Sequence, residues 1–595
     1  MTFKRFEGLA EMSGSESLTP YWRYRDALEA ELLPAVSADG LMAHTRAIAA
    51  WERESGTPGE AQAYDHIERA LKSYGYAVER REIEAFISLP LEGRVALPDG
   101  VVIEGLTHAF SPSTEGLEAE VVDVGDGNPE DFARAGAAGK IALCDSLATP
   151  GKAWAAQEAG TVGQIFVNRD HLHNMIVTTI WGTPEPDTAW RIPRTPCLSV
   201  RRSDGERIRQ LIRAGRGRVR LETRVRTAWA PIPHLTAHLD GTAEDRFILF
   251  SGHVDGWHYG AMDNGTANAT MLEVARLLAG RRRALRRGLR LAFWSGHSHG
   301  RYAGSAWYAD HAWSELQRRC AVHLNIDSTG ARGATDYSVL HATEDAQSFV
   351  EGVVHDVTGQ TARARRFPRA GDQSFWGIGI PSALMSLSGI PKQDTDLSRW
   401  MERLFGTAGF PWWWHTREDT IDKIDPEILA LDTRVYVAAA LRLCAAPLLP
   451  LDHARFARAI LGTVEELGRT SGQWDAVPAI DAARGLVERA DAFVRALDAV
   501  AAGAAEPSRV EGANRAMIRL SRTLVPLFYT RGDRFHHDLA LPVPPLAGLQ
   551  GAHELARLDA TSDRARFAVA ALAREKNRVV HALEEAAETI DAFHP

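Results

Sequence analysis

The sequence predicts an α/β protein: a mostly parallel sheet with helices on both faces, interrupted by a β-rich insertion and followed by a helical C-terminal domain. Three observations predict it. Residues 233–447 alternate short apolar runs with helical periodicity, the pattern of parallel strands buried on both faces. Between 92 and 223, short β patterns (VVIEGL, AEVVDVG, KIALCD, GQIFVN, CLSV, RVRLET) are separated by Gly and Pro turns. After residue 448 the chain becomes rich in Ala, Leu and Arg at helical spacing. A length of 595 residues calls for several domains. Their expected bounds are 1–91 (N-terminal helices and the first part of the core domain), 92–225 (the β-rich insertion), 226–448 (the core domain) and 449–595 (the helical domain).

Composition narrows the function classes. The chain has 45% apolar and 24% charged residues, ordinary for a globular protein. A net charge of −9 argues against nucleic acid as a partner. The Arg-rich run 281–290 reads as a solvated helix end leading into a strand. Cys144, Cys197, Cys320 and Cys444 are scattered without CxxC spacing and read as buried free thiols of a reducing compartment. No apolar signal region and no run of about 18 apolar residues is present. A cytoplasmic protein without membrane contact is therefore expected.

In chain order, helical patterns run through 24–36 and 58–74, the second with Thr57 as cap and Pro58 in the first turn. The strand YAVERREIEAF follows. In the insertion, His171 and His173 read as structural histidines of a loop. In the core domain, residues 246–251 form a buried strand and 266–279 a helix. The Gly-rich loop between them carries His253, Asp255 and Asp263. Ligands of open α/β sheets bind at the carboxyl ends of strands, so these three are candidate metal ligands with their support. Further strands are expected at 288–295, ending in GHSHGRYAGS, at 320–327, ending in Asp327, and at 381–387. His415 then opens HTREDTIDKIDPE.

With these residues in order, the chain resembles the two-zinc aminopeptidase family that also contains glutamate carboxypeptidase and the non-catalytic transferrin receptor. The family pattern has five features. They are a strand ending in His-x-Asp, an Asp opening a helix, a Glu-Glu pair after the next strand, an Asp ending a strand, and a late His followed by Thr and acids. Four of the five match. SGTPGE at 55–60 resembles the family segment that helps start the catalytic sheet. The resemblance implies a zinc-exopeptidase-like sheet, a protease-associated domain as the insertion, and a homodimer through the helical domain. It also implies two zincs per chain, or another divalent metal. Asp263 would bridge the two ions, with His253 and Asp327 completing one and His415 belonging to the other. Asp255 would fix the imidazole of His253.

The departure is the Glu-Glu pair, whose first member serves the family as general base and whose second is a metal ligand. Here the residues are Gly296-His297-Ser298-His299-Gly300. Anchoring on Gly304-Ser305 puts Ser298 at the base position and His299 at the ligand position; anchoring on Gly296 puts His297 at the base and Ser298 at the ligand. The first is preferred, because imidazole ligates zinc well and serine rarely does. His297 is then the candidate for proton transfer, since imidazole titrates near pH 6.5. Zinc itself lowers the pKa of bound water from 15.7 to about 7, so a missing base need not abolish hydrolysis.

Substrate contacts are expected from two stretches. Residues 393–414 carry Trp400, Phe405, Phe410, Trp412, Trp413 and Trp414, with Trp413 and Trp414 beside the ligand His415. Arg363, Arg365, Arg366 and Arg369 precede GDQSFW, which resembles a family segment at the substrate pocket; Arg369 is the candidate for a substrate carboxylate. The sequence leads to an aminopeptidase-like hydrolase of peptide or related amide bonds. The alternatives are a binding or scaffold protein with a degenerate site, and a hydrolase of a small non-peptide amide.

Overall fold

The computed structural model describes residues 20–593 apart from 170, 393–397, 399–408 and 504–505. Trp400 and Phe405 of the aromatic stretch lie outside the described residues. The strands are β1 (Ala77–Ala96), β2 (Val102–Thr107), β3 (Thr114–Asp123), β4 (Ile141–Cys144), β5 (Gly163–Val167), β6 (Cys197–Val200), β7 (Arg218–Leu239), β8 (Phe247–His253), β9 (Gly288–Trp294), β10 (Cys320–Asn325), β11 (Val339–His341), β12 (Arg363–Arg365) and β13 (Ser382–Ala383). Eleven of them form one sheet in the order β1-β2-β6-β5-β4-β3-β7-β9-β8-β10-β13, and β1 also pairs with β7. That extra pairing closes the first seven strands into a ring. The last five strands of the order form the open core sheet, in which β9, β8, β10 and β13 run parallel.

The six β patterns of the insertion correspond to β2 through β6 and the start of β7. The two longest strands join ring and core sheet. β1 and β7 are antiparallel along nearly their whole length, with an irregularity between Pro90 and Glu92. The bounds expected at 91/92 and 225/226 therefore fall inside continuous strands. A domain insertion carried on two uninterrupted strands is held in place by their ladder as well as by its own contacts.

At the N-terminus, Pro34 stops the helical pattern of 24–36, which forms one turn of helix at Glu29–Leu32. The helix Ala38–Ile48 follows instead, with the Ser37 hydroxyl accepting from the Gly40 N–H. The helix Pro58–Ser73 starts at Thr57, whose hydroxyl accepts from the Glu60 N–H. The Arg-rich run is only partly solvated. Arg287 is buried and donates to the carbonyls of Leu443, Ala446 and Pro447, and Arg290 pairs with Glu315. The four cysteines are buried and free.

Four long helices, His453–Thr470, Val477–Ala502, Pro507–Tyr529 and Asp563–Asp591, make up most of the C-terminal region. They share one hydrophobic core with β8 and the helix Pro426–Ala445. Arg522 ties the third of them to the sheet by donating to the carbonyls of Leu316, Gln317, Cys320 and Gly379. Among the described residues, no helix is long and apolar enough to cross a membrane.

Candidate metal centre

Parallel pairing brings the carboxyl ends of β8, β9 and β10 side by side. His253 ends β8 and lies level with Trp294 of β9, and Ser251 lies level with Asn325 of β10. Residues just past those ends therefore converge: His253 itself, His297 three residues after β9, and Asp327 two residues after β10. Each of these three offers one ligand atom, and the atoms lie within 4.8 Å of one another. The His253 and His297 rings stack at 3.7 Å.

Asp263 lies in the tight turn Ala261–Thr266 that opens the helix Ala267–Ala279. One carboxylate oxygen is 3.2 Å from His253 Nε2, and the other is 3.2 Å from His415 Nε2. Asp327 stands 3.7 Å from His253 Nε2. Asp263 thus faces a histidine with each of its oxygens. His253 and Asp263 form a buried floor. The side chains of His297, Asp327 and His415 keep 12%, 16% and 11% exposure, so the cluster opens to solvent on their side.

The second nitrogen of each clustered histidine is held by an oxygen. His253 Nδ1 lies 2.7 Å from the Asp255 carbonyl, His415 Nδ1 lies 2.7 Å from the Asn174 carbonyl, and His297 Nδ1 lies 2.6 Å from Asp372 Oδ2. A carbonyl oxygen can only accept, so the ring proton sits on Nδ1 in His253 and His415. Their Nε2 lone pairs then point at carboxylates. His253 Nε2 is buried and has no hydrogen bond of acceptable geometry. Lone pairs aimed at anionic oxygens at this distance repel unless a positive charge lies between them. Protons can supply it: burial disfavours the imidazolium of His253, but Asp263 and Asp327 outweigh burial and hold it well above the ordinary imidazole range. Burial would likewise raise Asp263, yet His253 and His415 hold its carboxyl well below the usual carboxylate range. A divalent metal fits the same donors, since imidazole nitrogen and carboxylate oxygen are the ordinary ligands of zinc.

Asp255 does more than its place beside His253 suggested. Its carbonyl orients His253, while its carboxylate accepts from the N–H groups of His297 and Ser298 and from the Ser55 hydroxyl. Burial opposes ionisation there, but His299, His253 and His297 together hold the carboxyl below its usual range. His299, like Asp263 and His415, is outside the group of His253, His297 and Asp327. It is fully buried, its ring is 4.3 Å from Trp257, and its Nδ1 faces the Ser55 hydroxyl at 3.0 Å. The Ser55 hydroxyl gives its one proton to Asp255, so it accepts from His299 Nδ1–H, which leaves the buried Nε2 as an unprotonated nitrogen with no hydrogen-bond partner among the described residues.

Arg369 is held by groups of the protein itself. Its guanidinium donates to the carbonyls of Gln373 and Asp538 and lies 3.7 Å from the Trp181 ring centroid. Trp414 stacks on His415 at 3.6 Å, and Trp413 is buried with its ring edge-on to Trp412. Trp412 is stacked on His171 of the insertion. His173 Nδ1 meets the Trp414 carbonyl at 2.7 Å, and the Asn174 N–H donates to the His415 carbonyl. Both histidines of that loop therefore serve to fasten the insertion to the segment carrying His415.

Several residues of the centre escaped sequence reasoning. Asp419 is buried and accepts from the N–H groups of Met262 and Asp263 with its two oxygens, 2.9 Å each. Burial pushes its carboxyl up to about 7 against the pull of those N–H groups. Arg53 is also buried and donates to the carbonyls of Ile48, Val254, Tyr259 and Gly260, bracing the loop between His253 and Asp263. Asp419 stands in the acidic run after His415 and Ser55 in SGTPGE, so both had a local signal; Arg53 and Asn174 had none.

Residues 234–440 match peptidase family M28, and residues 113–208 match the PA domain. The chain is 24% identical over 555 residues to a probable glutamate carboxypeptidase, VP8, of Zea mays, covering 79% of this chain and 75% of that protein. It is 25% identical over 363 residues to the aminopeptidase YwaD of Bacillus subtilis (strain 168), covering 57% and 70%. Among solved structures, an aminopeptidase from Aneurinibacillus sp. strain AM-1 superposes with a TM-score of 0.53 at 22% identity, over 70% of this chain and 96% of that one. BSAP, a zinc aminopeptidase from Bacillus subtilis, gives 0.53 at 21%, over 69% and 95%. These two structural likenesses show the fold.

Proposed function

We propose that this chain, whose residues 234–440 form a peptidase family M28 domain accompanied by a PA domain, is a zinc-dependent hydrolase of peptide or related amide bonds with an aminopeptidase-like exopeptidase action. One observation carries the proposal: the paired nitrogens of His253 and His415 donate to carbonyls, leaving two Nε2 lone pairs aimed at the same carboxylate, Asp263. Asp263 would bridge two ions. His253, Asp327 and His297 would hold one side, and His415 the other. When bound, zinc supplies Lewis acidity toward the scissile carbonyl and toward water.

The residues divide the remaining work. Asp255 holds the 297–298 turn and the His253 ring. Trp414 fixes the plane of His415 by stacking on it, and an aromatic ring beside the cluster suits an apolar side chain next to the cleaved bond. Histidine and serine stand where the family has its general base, and a general base is typically worth about 100- to 10,000-fold. Turnover below that of a glutamate-containing site is therefore expected. The same replacement favours a second reading, a binding protein of this fold.

The test is hydrolysis of aminoacyl, peptidyl and small-amide substrates before and after chelation, with zinc returned. Cleavage that disappears with the metal and comes back with zinc supports the peptidase. A chain that keeps zinc but cleaves nothing in the panel supports the binding protein.

A further inference from the structure

We infer that Asp372 is a positioning residue for His297, held in register by a hydrogen-bond relay that begins in the PA domain. The inference rests on the metal centre proposed above. Trp181, within the PA match at 113–208, donates from Nε1 to Ser374 Oγ at 2.8 Å. Ser374 Oγ meets Ser305 Oγ at 2.9 Å, Ser305 donates to Asp372 Oδ1 at 2.7 Å, and Asp372 Oδ2 meets His297 Nδ1 at 2.6 Å. Indole N–H can only donate and a carboxylate can only accept, so the two hydroxyl protons are forced to run one way along the chain. Ser305 has another acceptor in the Tyr302 carbonyl, but at the longer distance of 3.2 Å. Ser305, Ser374 and Asp372 are buried, where such bonds are stronger than in water.

The relay fixes both the tautomer and the angle of His297. With Nδ1–H donated to Asp372, Nε2 is left as the ring's ligand atom. Tyr302 meets the His297 ring edge-on at 4.8 Å and in turn lies 4.1 Å from Trp181, so packing and hydrogen bonding start from the same indole. Asp372 is at φ +55, a left-handed backbone conformation that Asp tolerates better than most residues, which turns its carboxylate toward the ring. It returns, one residue away from the donors, the negative charge lost where histidine stands in place of glutamate. The PA domain reaches the centre a second time through the Asn174 carbonyl on His415. It thereby sets the proton position on two of the histidines rather than merely walling the cleft.

The experiment is zinc affinity, by competition with a chromophoric chelator, for wild type, Asp372→Asn, Asp372→Ala and Trp181→Phe, with thermal stability measured beside it. Losing a carboxylate that orients a metal-ligating histidine typically weakens metal binding about 10- to 100-fold, so Asp372→Ala is expected to fall in that range. Asp372→Asn keeps a neutral acceptor and should fall between it and wild type. Trp181→Phe keeps an aromatic ring but loses the N–H together with part of the indole, and a loss smaller than the about 10- to 100-fold range for the carboxylate itself is expected. Wild-type zinc affinity in a folded Asp372→Ala, or equal affinity in all variants with lowered melting temperatures only, would overturn the positioning role while leaving the metal centre standing. Failure of the wild-type chain to bind zinc would remove the centre and this inference together.

Discussion

Replacing Asp419 by alanine tests how the bridging carboxylate is held. Asp419 accepts from the N–H groups of Met262 and Asp263, and its own carbonyl accepts from the Ala261 N–H. Alanine keeps the carbonyl and removes both carboxylate bonds. Leaving a buried N–H without its acceptor costs about 1–3 kcal/mol each, so the pair amounts to ~2–6 kcal/mol. No water-exposed route compensates, because both N–H groups belong to buried residues. A loss of that size is a large share of the 5–15 kcal/mol typical of a folded domain. Denaturant unfolding should show it as a lower midpoint, and zinc affinity should fall with it, because the turn that presents Asp263 loses its anchor. A variant within about 1 kcal/mol of wild type, with unchanged zinc affinity, would refute the anchoring role.

Arg369→Ala should behave as a stability variant: removing two carbonyl bonds and the stacking on Trp181 should cost ~4–8 kcal/mol without a selective rise in KM for substrates bearing a free carboxylate. A KM effect confined to such substrates would contradict this. For pH dependence, burial pushes His108, His234, His323 and His453 down to about 3. The unfolded chain takes up protons near pH 6.5 while these folded rings stay neutral, so the stability they contribute is present above pH 6.5 and lost as pH falls, by about 1.4 kcal/mol per pH unit for each. Asp345 and Asp432, pushed up to about 6 by burial, act in the opposite sense between pH 3.8 and 6. Asp419, pushed up to about 7, joins these carboxyls, but His66, His173, His238 and His258, held down to about 4 by burial, join the histidines, which stay in the majority, so the urea midpoint should drop between pH 7 and pH 5; a constant or rising midpoint would contradict it.

Much of the fold was legible because its signals are local. The strands ending at His253, Trp294 and Asn325 are apolar runs, and the six β patterns of the insertion are bounded by turns. The helix at 38–48 was not legible: its cap is a single serine, and the periodic stretch before it is cut by Pro34. The candidate centre was legible as residue types at strand ends, since His253, Asp263, Asp327 and His415 each stand where a strand or loop delivers them. The partners of their second nitrogens were not. Asn174 and Asp372 lie 241 and 75 residues from the histidines they hold, and nothing in a one-dimensional pattern links a carbonyl in an insertion to an imidazole in the core. The HSH segment was ambiguous for a related reason. Sequence anchors allowed two registers, whereas the turn held by Asp255 sends His297 toward His253 and buries His299 behind it against Trp257.

The most direct measurement is zinc content per chain by elemental analysis after reconstitution, on wild type, His297→Ala and His299→Gln. The account predicts two zincs in wild type, a loss in His297→Ala, and retention in His299→Gln. No zinc in wild type, or zinc lost from His299→Gln and kept by His297→Ala, would contradict it.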